Sequence, residues 1–96
     1  MGNRMAAIQH QRDAIHAIAK RHGALTIAVF GSVARGNDHP DSDVDFLVEF
    51  AQGASLVNLM NIQDDLERLL GCSVDVLSAG GLKPRDEHIR NEAIPV

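Results

Sequence analysis

The sequence predicts an α/β domain: one small mixed β-sheet covered by helices. Three observations carry this reading. Segments of helical period alternate with short apolar, β-branched runs, in the order helix, strand, short helix, strand, helix, strand, helix. The 96 residues suit a single domain spanning 1–96, and 45% hydrophobic against 23% charged residues is an ordinary globular balance. No repeat, low-complexity tract or linker divides the chain.

Residues 3–22 read as one amphipathic helix, with Met5, Ile8, Ile15, Ile18 and Ala19 on a broad apolar face and His22-Gly23 as the stop. His10, His16 and His22 recur every six residues, which spreads them around the helix as surface residues. Residues 25–30, LTIAVF, form a short buried strand. Gly31 to Gly36 is a turn opening a short helix, and NDHPDS is loop. Residues 43–50 make the second strand and 51–54 a turn. Ser55 caps a helix that runs to Leu70 with Leu59, Ile62, Leu66, Leu69 and Leu70 inward, and Gly71 ends it. On that helix Asp64, Asp65 and Glu67 read as solvated charge on the outer side. Residues 73–77, SVDVL, are the third strand and SAGGL is loop. Pro84 opens a final helix carrying Ile89 and Ala93 one turn apart.

Composition excludes several classes. The net charge is −4, the only aromatic residues are three Phe, and Lys83, Arg85 and Arg90 are the one gathering of basic residues. A sequence-independent nucleic-acid binder needs a basic groove with stacking rings, so a direct nucleic-acid ligand is disfavoured. A single cysteine, Cys72, rules out an internal disulfide and a Cys-rich zinc site, and reads as a small hydrophobe at a strand start. No apolar run approaches a membrane span and no signal region opens the chain, so no membrane partner and a cytoplasmic setting are expected.

The chemistry sits in residues 29–50, VFGSVARGNDHPDSDVDFLVEF. Asp43 and Asp45 interrupt an otherwise hydrophobic strand at alternate positions. In a strand they project from one face, about 6.5 Å apart along the chain, while Val44 and Phe46 enter the core from the other. Two such carboxylates repel each other and lose hydration unless something compensates. A hard divalent cation does so, and Mg²⁺ typically takes one or two carboxylates plus phosphate oxygens. Asp75 offers a third acid if its strand lies beside residues 43–50. Three converging acids can hold two metal ions roughly 4 Å apart. Gly31-Ser32, at the end of the preceding strand, can receive phosphate on backbone N–H groups and a hydroxyl, with Gly31 permitting close approach.

Gly31, Ser32, Asp43 and Asp45 at this spacing make GSVARGNDHPDSDVDFLVEF resemble the signature of the minimal nucleotidyltransferases, a group within the DNA polymerase β-like superfamily. SVDVLS resembles the group's third-acid strand, and LKPRDEHIRNEAIPV its C-terminal helix and tail, so the resemblance covers nearly the whole chain. It implies the polymerase β-like nucleotidyltransferase fold. It also implies an antitoxin encoded beside a HEPN-domain RNase toxin, forming a hetero-oligomer with it and transferring AMP from ATP to a toxin tyrosine. The chain has no Tyr, which excludes self-modification on tyrosine.

Under that resemblance Asp43, Asp45 and Asp75 are the catalytic and Mg²⁺-binding residues, and Gly31, Ser32, Arg35 and Ser42 the candidate nucleotide-binding ones. Ser42 is also suited to capping or orienting the acid strand, and Arg35 to an ordinary place on the helix surface. Lys83, Arg85 and Arg90 could meet ATP or an acidic partner surface, or simply water. Two other readings stay open: a non-catalytic antitoxin that neutralises its toxin by binding, and a transferase acting on a small molecule or an RNA end.

Overall fold

A computed structural model of the chain describes residues 4–39, 41–51 and 55–96. The expected helix start at residue 3, Pro40 of the loop, and the turn at 51–54 beyond its first residue lie outside the described residues.

The N-terminal segment is two helices rather than one: α1, Arg4–His10, and α2, Arg12–Arg21. Gln11 between them has φ −104° and ψ 17°. Gln is a good helix former, so local propensity does not cause the break. α1 rests on the short helix that follows the first strand as well as on α2, and Ile8 and Ile15 are both buried.

Four strands form one sheet: β1 Ala24–Phe30, β2 Val44–Phe50, β3 Val74–Ser78 and β4 Ile94–Pro95, in the order β3-β2-β1-β4. β1 pairs antiparallel with β2 and β4, and β2 pairs parallel with β3, so the sheet is mixed as expected. The parallel pair is joined through α4, Leu56–Leu70. A parallel crossover needs such a connection, whereas antiparallel neighbours need only a loop. β4 was not expected. Ile94 and Pro95 lie opposite Val29 and Ala28, which gives β1 a partner on its outer side. Proline is tolerated there because an edge position asks for no ladder N–H.

The two faces of the sheet differ. On one, Ile27, Val29, Val44, Phe46, Val48, Val74 and Val76 pack with Ile15, Ile18, Ile62 and Leu66 of α2 and α4 in the main core. On the other, Phe30, Leu47 and Ala79 form a small cluster, covered by Leu82, Ile89 and Ala93. Ile89 belongs to α5, Glu87–Glu92, which follows a 3-10 turn opened by Pro84. SAGGL contains a second 3-10 turn, Ala79–Gly81, where only loop was expected. Arg90 donates to the Ala79 carbonyl at 3.2 Å, tying α5 to that turn.

α4 begins at Ser55, whose N–H and hydroxyl both reach Asn58 Oδ1, at 3.0 and 2.7 Å. Gly71 closes it at φ 69°, in the left-handed region. Two of its acids are not mere surface charge. Asp65 Oδ2 lies 2.8 Å from His22 Nε2, and Glu67 Oε2 accepts the Val74 N–H at 2.9 Å. His22 is correspondingly half-buried, not the surface residue its spacing suggested. The chain folds back to meet both groups, which helical periodicity alone cannot show. Among the described residues no helix is long and apolar enough to cross a membrane.

Candidate active site

β1 ends at Phe30, and the chain turns at once into α3, Gly31–Arg35. Gly31 takes φ 75°, a conformation that side chains resist. It is also crowded. A β-carbon at Gly31 would collide with Asp45 Oδ2 and stand 3.3 Å from Asp45 Cγ. Glycine therefore serves twice, permitting the turn and leaving room for the carboxylate. The close approach follows from register, because Phe30 lies opposite Asp45 across the antiparallel pair.

β3 brings the third acid. In the parallel register Asp45 lies directly opposite Asp75, and Val44 opposite Val74. Val44, Phe46, Val74 and Val76 are buried on the core side, which leaves Asp45 and Asp75 on the other face. Asp43 precedes β2 by one residue; it and Asp75 are exposed, while Asp45 is half-buried. Burial pushes the Asp45 carboxyl above its ordinary value of 3.8, and the charges of Asp75 and Asp43 push it further, with Arg35 opposing. Burial and like charge together outweigh the one opposing cation, Arg35.

Hard oxygen donors beside a turn whose Gly31 leaves room at the Asp45 carboxylate are the chemistry that a divalent cation with phosphate asks for. Among the described residues, no three acids, histidines or cysteines are gathered tightly enough to hold a metal ion unaided. An ion held here would have to take the rest of its coordination from substrate oxygens, as Mg²⁺ commonly does.

Ser32 is half-buried at the start of α3. Ser42 is turned to its own loop: its Oγ accepts the His39 N–H at 2.7 Å, while the Ser42 N–H donates to the His39 carbonyl at 2.9 Å. It orders the approach to the acids. Arg35 is exposed, and its Nη1 meets Glu92 Oε2 at 2.8 Å and Oε1 at 3.3 Å. A polar hollow of about 280 Å³ reaches from Asp43 past Ser42 and Ser73 to Arg4. An equally large hollow beside His16 and Leu25 contains no acid and adjoins the opposite end of β1.

Two residues of this region carried no signal in the sequence. Asp38 read as loop polarity, yet it is buried. Its Oδ2 lies 4.0 Å from Arg4 Nε, and its Oδ1 has no hydrogen-bond partner among the described residues. Glu92, at the end of α5, adds negative charge to the surroundings of Asp45.

Comparison with known proteins agrees with this geometry. Residues 12–94 match the nucleotidyltransferase domain family. A Methanocaldococcus jannaschii chain, provisionally named a protein adenylyltransferase, is 41% identical over 80 residues, which cover 82% of this chain and 86% of that one. The protein adenylyltransferase MntA of Thermococcus cleftensis is 42% identical over 66 residues, covering 69% and 67%. A solved structure provisionally described as a minimal nucleotidyltransferase superposes with TM-score 0.85 at 43% identity, covering 95% of this chain and 94% of that one. At 18% identity, a structure of a tri-AMPylated Shewanella oneidensis HEPN toxin with its MNT antitoxin shares the fold, with TM-score 0.58 over 78% of this chain and 58% of that one. The shared fold, the match across residues 12–94, and the Gly31, Asp45 and Asp75 juxtaposition lead to one assignment: this chain belongs to the nucleotidyltransferase-domain family, as a minimal nucleotidyltransferase.

Proposed function

We propose that this nucleotidyltransferase moves AMP from ATP onto a hydroxyl of a partner protein, a tyrosine of a HEPN RNase toxin, and so acts as that toxin's antitoxin. The observation that carries the reading is the register placing Asp45 opposite Asp75, with Gly31 against the Asp45 carboxylate. The adenylyltransferase names of the relatives at 41% and 42% identity support the reaction. The HEPN toxin complex that shares the fold supports the partner. A cytoplasmic setting, where ATP is at hand, belongs to the same reading.

In this mechanism Gly31 and Ser32 receive the β and γ phosphates on backbone N–H groups and a hydroxyl. Asp43, Asp45 and Asp75 would hold Mg²⁺, two ions in the full complement. Bound there, Mg²⁺ supplies charge neutralisation at the triphosphate and lowers the pKa of the acceptor hydroxyl. Asp75, exposed on the sheet face, is assigned the acceptor side, where it would help take up the acceptor's proton. The acceptor oxygen bonds to the α-phosphorus. The bond from that phosphorus to the β-phosphate oxygen breaks, and pyrophosphate leaves with the electron pair. A phenol, with its ordinary pKa about 10, needs this assistance to react at neutral pH.

The test is the intact mass of the toxin encoded by the neighbouring gene after incubation with this protein, ATP and Mg²⁺. The expected result is a gain in AMP-sized steps that is absent with Asp43→Asn. An unchanged mass with a stable complex still formed would assign neutralisation to binding alone.

A further inference from the structure

We infer that Glu92 is a positioning residue for the nucleotide, holding Arg35 at the mouth of the site so that its guanidinium meets the triphosphate. The inference rests on the nucleotide-site reading given above. It begins from where Arg35 stands. It is the last residue of α3, the helix that starts at Gly31-Ser32. Gly31 and Arg35 stand four positions apart, so they share one face of α3, and the pair with Glu92 forms on the face that carries the phosphate turn.

The geometry of the pair decides between holding and blocking. Both contacts to Glu92 leave from one nitrogen, Nη1. Among the described residues Nη2 and Nε make no other hydrogen bond. A guanidinium has five N–H donors in a fixed fork. With Nη1 engaged, its remaining donors can reach phosphate oxygens without Glu92 letting go. An arginine buried in a two-pronged clasp would instead have to break it first.

Glu92 is also the better-anchored partner. Its side chain is 23% exposed against 53% for Arg35. It closes α5, and Ile94 and Pro95 just beyond it pair with Val29 and Ala28 of β1. β1 is the strand that delivers Gly31-Ser32. Anchor and phosphate turn are thus built on one strand, and a long exposed side chain is fixed relative to both. Left alone, such a side chain would lose much rotamer freedom on meeting a ligand.

The experiment is titration calorimetry of the full chain with Mg-ATP, and with Mg-AMP as the probe lacking the β and γ phosphates. Arg35→Ala is expected to weaken Mg-ATP by about tenfold or more, the loss of charge-assisted contacts. Glu92→Gln is expected to weaken Mg-ATP by about fivefold, the scale of a surface ion pair, and to leave Mg-AMP unchanged. In the Arg35→Ala background Glu92→Gln should add nothing. Glu92→Asp, which keeps the charge on a shorter stem, should fall between wild type and Glu92→Gln, and it serves alone if Glu92→Gln does not fold. Unchanged Mg-ATP affinity in Glu92→Gln overturns the inference. So does tighter binding, which would make Glu92 a competitor of the triphosphate, and so does an equal loss for Mg-ATP and Mg-AMP. A wild-type chain that binds no Mg-ATP, or an Asp45→Asn variant that binds it as wild type does, would instead overturn the nucleotide-site reading itself.

Discussion

The two faces of β2 present the same strand to opposite environments. Val44, Phe46 and Val48 are buried among α2, α4 and the neighbouring strands. Asp45, on the other face, meets Gly31, Asp75 and the edge of a much smaller apolar cluster. Because successive strand residues point to opposite sides, the chain can load one face with charge without removing a single core contact. The difference teaches that stability and chemistry are segregated by parity in this sheet, not by distance.

That separation can be tested from both sides. The largest effect is expected for Asp45→Asn, which removes one of the acids that the proposed mechanism gives to Mg²⁺. Transfer should fall by about a thousandfold or more, the equivalent of several kcal/mol of transition-state stabilisation, in the toxin mass assay. Stability should move the other way. The Asp45 pKa is raised in the fold, so the stability linked to this group is complete below the ordinary value of 3.8 and is lost as pH rises through the folded value. At neutral pH without Mg²⁺, asparagine escapes that loss. A gain of about 2 °C in melting temperature is expected, kept small because the carboxylate is part-exposed. A variant that loses transfer only because it unfolds would break the parity argument.

Phe46→Ala attacks the opposite face of the same strand. Phe46 is fully buried, and its truncation should cost about 3–5 kcal/mol in a urea melt. Protein that remains folded in the cold should still bind Mg-ATP. A variant that stays stable but loses binding would show that the faces are coupled.

The smallest effect lies away from both. The hydrogen bond from His22 holds the Asp65 carboxyl below its ordinary 3.8, aided by the charges of His22, Arg21 and Arg68. A depressed pKa contributes stability above 3.8 that is lost as pH falls through the lowered value. Asp65→Asn should therefore melt slightly lower than wild type at neutral pH, and the two curves should converge in acid.

Much of this was legible in the sequence, because the informative features are local. The alternation of Asp43, Val44, Asp45 and Phe46 announces a strand with one charged face, and Gly71 announces the end of α4. What was hidden depends on the chain meeting itself again. Nothing in residues 73–77 fixes which residue of β2 faces Asp75; the crossover through α4 sets that register. Nothing near Gln11 signals the break between α1 and α2. β4 is two residues long and includes a proline, too little to read as a strand without β1 beside it. The Arg35–Glu92 pair and the His22–Asp65 bond join residues far apart in the chain for the same reason. Ser42 illustrates a subtler ambiguity. Its residue type suits both nucleotide and loop, and the structure shows the loop contact.

β3 is the outermost strand on its side of the sheet, opposite the edge that β4 covers. An uncovered edge displays unpaired N–H and C=O groups on which a second chain can nucleate, and natural sheets discourage this with short strands and charge. β3 is five residues long and carries exposed Asp75 near its start and Leu77, 40% exposed, farther along. Asp75 thus puts on that edge a charge of the kind that discourages self-association. Neutralising it would take that charge off the edge as well as test the proposed chemistry, so light scattering should accompany every assay of Asp75→Asn.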